Sequence, residues 1–132
     1  MAPPPVEALD DTGKLRRAEQ LTERRNFYEA GRIADDLIAR DPKNADYHAL
    51  RAFIFYQQFT GDRPPRPLLD AIERALRLNE EQARALYVKG LVFKRMGKQL
   101  EAVRYFQKAM DADPQHLEAQ RELRLAKMRR DR

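Results

Sequence analysis

Cysteine and serine are both absent from this chain of 132 residues. The lack of cysteine excludes disulfide bonds, zinc–thiolate sites and a cysteine nucleophile, and the lack of serine excludes a serine nucleophile. Glycine is scarce and scattered, which leaves no glycine-rich phosphate-binding loop. The two histidines, His48 and His116, lie in different halves of the chain and have no paired ligand, which argues against a metal site. The sequence therefore predicts a protein that is not an enzyme and uses no cofactor or metal.

Long apolar runs are absent too. No segment is long enough to cross a bilayer, and no charged-then-apolar stretch has the pattern of a secretory signal. We therefore expect no membrane insertion. Because the lack of cysteine also fits a reducing compartment, we expect a cytoplasmic location.

Charge is abundant, with 36% Asp, Glu, Lys and Arg and a net charge of +5. The positive excess lies at one end of the chain. Residues 1–82 carry 13 basic and 15 acidic residues, whereas residues 83–132 carry 13 basic and 6 acidic ones. A basic last third suits nucleic acid or another acidic surface, which we keep as the alternative function. Nucleic acid is not the partner we favour.

The first ten residues, MAPPPVEALD, contain three consecutive prolines. Consecutive prolines favour an extended arm and cannot enter a helix. We predict that residues 1–10 are a disordered leader or a linker, and that residues 11–132 form one domain. A proline ligand for a small recognition domain is the alternative for this segment.

The remainder of the chain has a helical pattern interrupted by Asn, Gly and Pro residues, and no segment alternates with period two. We therefore predict an all-α protein. The interruptions predict seven helices, at about 13–25, 27–39, 45–59, 67–78, 83–96, 99–111 and 115–129.

Two sets of similar positions indicate an internal repeat with a period of about 34 residues. Pro42 and Pro114 are separated by two such periods plus four further positions. Ala18 and Ala52 are separated by one period, and Ala52 and Gly90 by one period plus four. The four extra positions fit the proline-rich turn at 60–67. A period of this length with two helices in each unit indicates a helical repeat protein.

This pattern resembles the tetratricopeptide repeat. The third unit, 83–116, carries the motif best, through Gly90, Phe93, Gly97, Ala102, Phe106, Ala109 and Pro114. The units 11–44 and 45–82 match less well, with departures at Ala34, Leu68 and Glu80. The resemblance implies a right-handed superhelical stack of three antiparallel helix pairs, closed by a polar capping helix at 115–130. A plain seven-helix bundle is the alternative.

Small residues in the third unit are expected to lie where two helices cross. Gly90, Ala102 and Ala109 stand among large apolar side chains. Two antiparallel helices approach closely only where the side chains between their axes are small. We therefore predict close contact of the fifth and sixth helices at these positions, with Phe93 and Phe106 filling the space beside them.

The resemblance also implies a ligand groove lined by the first helix of each pair. The groove residues that it singles out are Phe53, Tyr56, Gln57, Arg84, Tyr87, Leu91, Lys94 and Arg95. Glu19 and Glu23 would make one end acidic, and the three cations would make the other basic. We therefore expect a partner segment, helical or extended, with apolar anchors and an acidic flank. Alternatively, Phe53 and Tyr87 are simply packed between helices.

The sequence thus predicts a protein–protein interaction adaptor, as part of a bacterial multiprotein or co-chaperone assembly. The resemblance extends to C-terminal parts of bacterial J-domain-type proteins, in which the proline-rich leader would be a linker. Family members that clamp the acidic tail of heat-shock chaperones use lysine and asparagine where this chain has Leu15, Glu19 and Phe53. Such a clamp is therefore disfavoured. Self-association is left open.

Overall fold

The chain folds into seven α-helices and one short 3-10 turn, Val6–Ala8, in a computed structural model that describes residues 2–130. Each helix end lies within two residues of its predicted position, and no strand occurs in the part described, so the all-α prediction is confirmed. The helices are α1 Asp11–Glu23, α2 Phe27–Arg40, α3 Ala45–Gln58, α4 Arg66–Leu78, α5 Ala83–Arg95, α6 Gln99–Ala112 and α7 Leu117–Arg130.

Polar side chains and prolines define where the helices begin. The side chains of Asp10, Asn26, Asn44 and Gln82 each accept a hydrogen bond from a backbone N–H of the following first turn. These bonds satisfy donors that have no partner inside the helix. The helix α4 begins instead with a proline in its first turn, where the missing N–H costs nothing.

Consecutive helices pack as pairs, and the pairs stack. The helices α1 and α2, α3 and α4, and α5 and α6 contact each other, and α7 packs on α6. The first helices of neighbouring pairs also touch, α1 with α3 and α3 with α5. The core therefore runs along the stack. Its most deeply buried large side chains are Leu37, Leu50, Ile54, Leu68, Val88 and Phe106.

The predicted close contact of α5 with α6 is confirmed. Gly90 is buried, and a Cβ atom built on it would lie 2.6 Å from two ring carbons of Phe106. Ala102 and Ala109 are also fully buried. Phe93 lies beside this contact, stacked on Tyr105 with 5.4 Å between ring centroids. The small residues therefore let the ring of Phe106 lie directly against the backbone of α5.

Two turns at equivalent positions of the repeat end the first helices of the first and third pairs. Gly97 has φ +79° and Arg25 has φ +62°. In both turns the next residue's N–H reaches back to the helix, from Lys98 to the Phe93 carbonyl (2.9 Å) and from Asn26 to the Leu21 carbonyl (2.8 Å). A left-handed residue at this position suits glycine, because any Cβ strains it.

Replacing Arg25 with glycine is expected to raise the free energy of unfolding by about 0.5–1 kcal/mol, because it removes left-handed strain of about 1–2 kcal/mol at some entropic cost. Urea denaturation measures the change. Arg24→Gly is the matched control, because Arg24 has φ −83° and gains nothing from glycine. Equal losses of stability in both variants would contradict the assignment of strain to Arg25.

The proline-rich leader contacts the first helix pair, although the sequence predicts disorder for it. Val6 packs against the core cluster of the first pair, and Arg17 Nη2 donates to the Pro4 carbonyl at 2.7 Å. Val6 therefore covers part of the apolar edge of the first helix pair. Within residues 2–130, none of the helices combines the length and apolar character that a membrane span requires.

Candidate functional site

A cavity of about 530 Å³ opens on the side of the stack formed by the first helices of the pairs. It is bounded by α1, α3, the start of α5 and the turn between α6 and α7. We call this cavity the groove. Its lining residues are Leu15, Glu19, Glu23, Asp46, Leu50, Phe53, Gln82, Ala83, Arg84, Tyr87, Asp113, Gln115, His116 and Glu118.

The floor of the groove is apolar and partly aromatic. Phe53 and Tyr87 are half-buried, so each ring both packs on the core and faces the groove. The ring of Tyr87 lies 5.9 Å from that of Phe106 and 4.9 Å from that of His116. Both interpretations of these two aromatics, groove lining and interhelical packing, therefore describe the same side chains.

Five of the eight predicted groove residues lie outside the cavity. Tyr56 and Gln57 are half-buried further along α3, and Leu91 is buried against Ala102 and Phe106. Lys94 and Arg95 lie near the end of α5. The predicted set that the structure brings together is thus Phe53, Arg84 and Tyr87.

The predicted acidic end and basic end of the groove are joined by an ion pair. Arg84 of the third repeat forms an ion pair with Glu19 of the first, across the groove. Beside it, Gln82 Nε2 donates to Asp46 Oδ1 at 3.0 Å, which links α5 to α3. The stacking of the pairs brings α1 opposite the start of α5, so groups 65 residues apart in sequence meet.

The other two predicted groove cations are also engaged within the domain. Lys94 Nζ lies 2.7 Å from Glu122 Oε2 of α7. Arg95 donates to the Phe59 carbonyl at 2.7 Å, and its guanidinium carbon lies 4.4 Å from the Phe59 ring centroid and 4.9 Å from that of Tyr56. The expectation of an acidic flank on the partner therefore loses the three cations on which it depends.

Carboxylates dominate the rim instead. Glu23, Asp46, Asp113 and Glu118 line the groove and form no ion pair with any Lys or Arg in residues 2–130. Asp113, Gln115, His116 and Glu118 were not predicted to line the groove, because the resemblance implies groove positions on first helices alone. The available signal was the Asp-Pro turn after the third pair, which returns the chain to this side.

No group of acidic or histidine side chains arranged to hold a metal occurs in the part of the chain that the structure describes.

Residues 83–116 match the family model of the tetratricopeptide repeat. The whole chain is similar to the Sgt2 TPR domain from Aspergillus fumigatus, with a TM-score of 0.71 and 17% identity over 98% of this chain and 82% of that one. This is the tetratricopeptide repeat (TPR) fold. No curated protein matches the chain in sequence.

Two further TPR structures that resemble this domain contain a peptide. The first TPR of Spaghetti (RPAP3), bound to the HSP90 peptide SRMEEVD, has a TM-score of 0.68 and 17% identity over 92% of this chain and 94% of that one. The second TPR domain of human RPAP3, in complex with the HSP70 peptide SGPTIEEVD, has a TM-score of 0.63 and 20% identity over 89% and 98%. At these identities the similarity establishes the fold.

The helix α7 closes the third repeat of the TPR domain and carries exposed cations. Ala119 is fully buried against the third pair, and Glu122 holds Lys94. The exposed cations of α7 are Arg121, Arg124, Lys127, Arg129 and Arg130. Two other cations of the basic third, Lys89 and Lys108, each lie 4.8 Å from the ring of Tyr105. Part of the positive charge of the last third thus lies on α7, and part contacts aromatic rings or carboxylates of the domain.

Burial determines the ionisation of the groove tyrosine. Burial of Tyr87, with Glu122 and Glu118 nearby, raises the pKa of its phenol well above the ordinary value. Burial also raises the pKa of Tyr56, although Arg95 opposes the shift. The groove therefore presents a neutral Tyr87 ring at any physiological pH.

The TPR domain is expected to lose stability as the pH rises above about 10, because the unfolded tyrosines ionise there while folded Tyr87 stays neutral. Tyr87→Phe removes this contribution, so its free energy of unfolding should fall less than that of the wild type across this range. Urea denaturation at neutral and alkaline pH measures the difference. If the stability of Tyr87→Phe depended on pH in the same way as that of the wild type, the raised pKa of Tyr87 would be contradicted.

Proposed function

We propose that this TPR domain is a protein-interaction adaptor that holds a segment of a partner protein in the groove between α1, α3 and α5. The observation that carries the proposal is the cavity of about 530 Å³ whose floor presents Phe53 and Tyr87. Half-buried aromatic side chains are effective anchors, because they offer a large contact area and lose few rotamers on binding.

Two peptide-bound structures of the same fold support a segment of a protein as the ligand. The first TPR of Spaghetti and the second TPR domain of human RPAP3 were each solved with a short chaperone peptide bound. Both peptides end in Glu-Glu-Val-Asp, whereas the rim of this groove carries four carboxylates that form no ion pair with a Lys or Arg in residues 2–130. The chain also has Leu15, Glu19 and Phe53 at positions where chaperone clamps use lysine and asparagine. Peptide binding in the groove is therefore supported, and recognition of a chaperone tail is disfavoured.

The wider setting of the adaptor is inferred from the resemblance alone. A bacterial multiprotein or co-chaperone assembly in the cytoplasm remains the setting we propose. Binding of nucleic acid through the basic last third remains a prediction, to which the contacts of Lys89 and Lys108 with the Tyr105 ring add no support.

Selection of binders from a displayed peptide library, followed by mapping of the site, tests the proposal. The selected peptides are titrated into the isotope-labelled domain, and amide chemical shifts are followed by NMR. We expect the largest changes around Leu15, Phe53 and Tyr87, which line the groove.

The control variants separate the groove from the outer surface. Phe53→Ala should weaken binding of the selected peptides, whereas Tyr28→Ala, an exposed aromatic residue on α2, should not. Circular dichroism and urea denaturation check that both variants fold. Shift changes confined to the faces of α2, α4 and α6 that point away from the groove would overturn the proposal.

A further inference from the structure

We propose that the partner segment is basic, with lysine or arginine side chains reaching the carboxylates on the rim of the groove. This inference rests on the proposed function and adds the chemistry of the ligand. It reverses the expectation drawn from the sequence, which was an acidic flank.

The balance of charge around the groove carries the inference. Five carboxylates line the cavity (Glu19, Glu23, Asp46, Asp113 and Glu118), against one guanidinium, that of Arg84. Arg84 is already paired with Glu19, so four carboxylates remain without a cation in residues 2–130. Two of them accept only neutral hydrogen bonds, Asp46 from the Gln82 amide and Asp113 from the Gln115 backbone N–H. Glu118 Oε2 lies 3.5 Å from Nδ1 of the His116 ring.

The arrangement of these carboxylates is independent support. They come from α1, α3, the α6–α7 turn and α7, and they surround one apolar floor. Acidic groups on a single helix would indicate only an ordinary solvated surface. These carboxylates come from four elements and surround one cavity, where they would contact the same ligand. The chain as a whole has a net charge of +5, so this concentration of negative charge does not follow from the composition.

The floor suits the body of a basic side chain. Lysine and arginine carry long apolar stems, which pack on apolar and aromatic surfaces while their charged ends stay near water or an anion. A cation can also interact with the face of an aromatic ring. Phe53 and Tyr87 provide the aromatic surface, and the carboxylates stand around it. An acidic peptide would place like charges together, which disfavours it.

Three matched peptides test the charge preference. They are SRMEEVD, the sequence that the similar Spaghetti domain binds; a basic version, SRMKKVK; and a neutral version, SRMQQVN, the last two with amidated C-termini. Fluorescence anisotropy measures the affinity of each for the full chain. We expect SRMKKVK to bind at least about tenfold more tightly than SRMEEVD, with SRMQQVN between them. The preference should shrink as NaCl is raised from about 50 to about 500 mM, because salt screens exposed charges.

A charge-reversal variant tests whether the carboxylates on the rim of the groove cause the preference for the basic peptide. Glu23 is exposed in the last turn of α1, and it forms no ion pair with any Lys or Arg in residues 2–130. Lysine at this end of a helix favours the helix dipole, so Glu23→Lys should fold. We expect it to weaken binding of SRMKKVK about tenfold and to strengthen binding of SRMEEVD. Glu101→Lys is the control for the charge change alone, because Glu101 is exposed on α6 and does not line the groove. Urea denaturation checks that this variant folds, since a cation in the first turn of α6 opposes the helix dipole.

The outcomes separate this inference from the proposed function. If SRMEEVD or SRMQQVN binds as tightly as SRMKKVK, the charge inference is wrong while the groove still binds peptides. If no peptide binds, and library peptides map outside the groove, both proposals are wrong. Sedimentation velocity tests whether a second copy of the chain occupies the groove instead. Self-association that Glu23→Lys abolishes would make a second copy of the chain the ligand and would overturn the assignment to a separate partner.

Discussion

Replacing Phe106 with alanine is expected to lower the free energy of unfolding by about 3–5 kcal/mol. Phe106 is 1% exposed and packs against Leu91 and Ala102 between α5 and α6. Truncation removes the burial of a whole aromatic ring and leaves a cavity that the surrounding helices fill only in part. A loss of this size is a large fraction of the ~5–15 kcal/mol that stabilises a typical domain.

Urea denaturation followed by circular dichroism measures the loss. Phe106→Leu is the control, because it keeps most of the apolar volume and should cost only about 1–2 kcal/mol. The ring of Tyr87 lies against that of Phe106, so Phe106→Ala should also weaken peptide binding in the groove. A loss below about 1 kcal/mol for Phe106→Ala would contradict the importance assigned to this contact, since full burial of such a ring contributes more than that.

The second large effect is expected at the glycine that faces this ring. In a solvated helix, Gly→Ala gains about 1 kcal/mol in helix propensity. At position 90, however, the new Cβ atom would lie 2.6 Å from Cδ1 and Cε1 of Phe106, and the ring is enclosed on all sides. Overpacking of this kind typically costs about 1–3 kcal/mol and outweighs the gain. We therefore expect Gly90→Ala to lower the free energy of unfolding by about 2 kcal/mol.

A second glycine at the same distance from its neighbour provides the comparison. A Cβ atom at Gly31 would also lie 2.6 Å from another atom, but that atom is Nη1 of Arg51. A guanidinium at the end of a flexible side chain can move away, at the cost of its contacts with Asp35 and the Phe55 ring. Gly31→Ala is therefore expected to change stability by less than about 1 kcal/mol. The double variant Gly90→Ala/Phe106→Leu should recover part of the loss at position 90; equal effects of the two single Gly→Ala variants would contradict the steric argument.

The helices and their pairing could be predicted from the sequence because their determinants are local or periodic. Caps such as Asn26 and Asn44 and breakers such as Asp113-Pro114 act within a few residues. The repeat period then places Ala18, Ala52 and Gly90 at equivalent positions, all of them buried. The left-handed backbone of Arg25 was not predicted, because the residues around it give no indication of this conformation. It becomes apparent only when Arg25 is compared with Gly97, the equivalent residue of the third repeat.

Three of the eight predicted groove residues line the cavity. Phe53, Arg84 and Tyr87 do line the groove, because helix periodicity places them on the inner faces of α3 and α5. Lys94 and Arg95 were assigned to the groove by the same periodicity. In the structure, Lys94 forms an ion pair with Glu122, and Arg95 donates a hydrogen bond to the Phe59 carbonyl. A long cation can reach several partners from one backbone position, so its spacing along a helix does not determine its contact.

The sequence by itself determined that the chain is helical, that it repeats in units of two helices and where its small residues let helices meet, because each of these depends on local chemistry or on a fixed period. Only the tertiary structure decided the charge of the groove. Glu19 meets Arg84 because of how three pairs stack, and the turn after α6 adds Asp113 and Glu118 to the rim. Electrostatic partners are selected by distance in space, and the curvature that sets those distances results from packing summed over the whole stack.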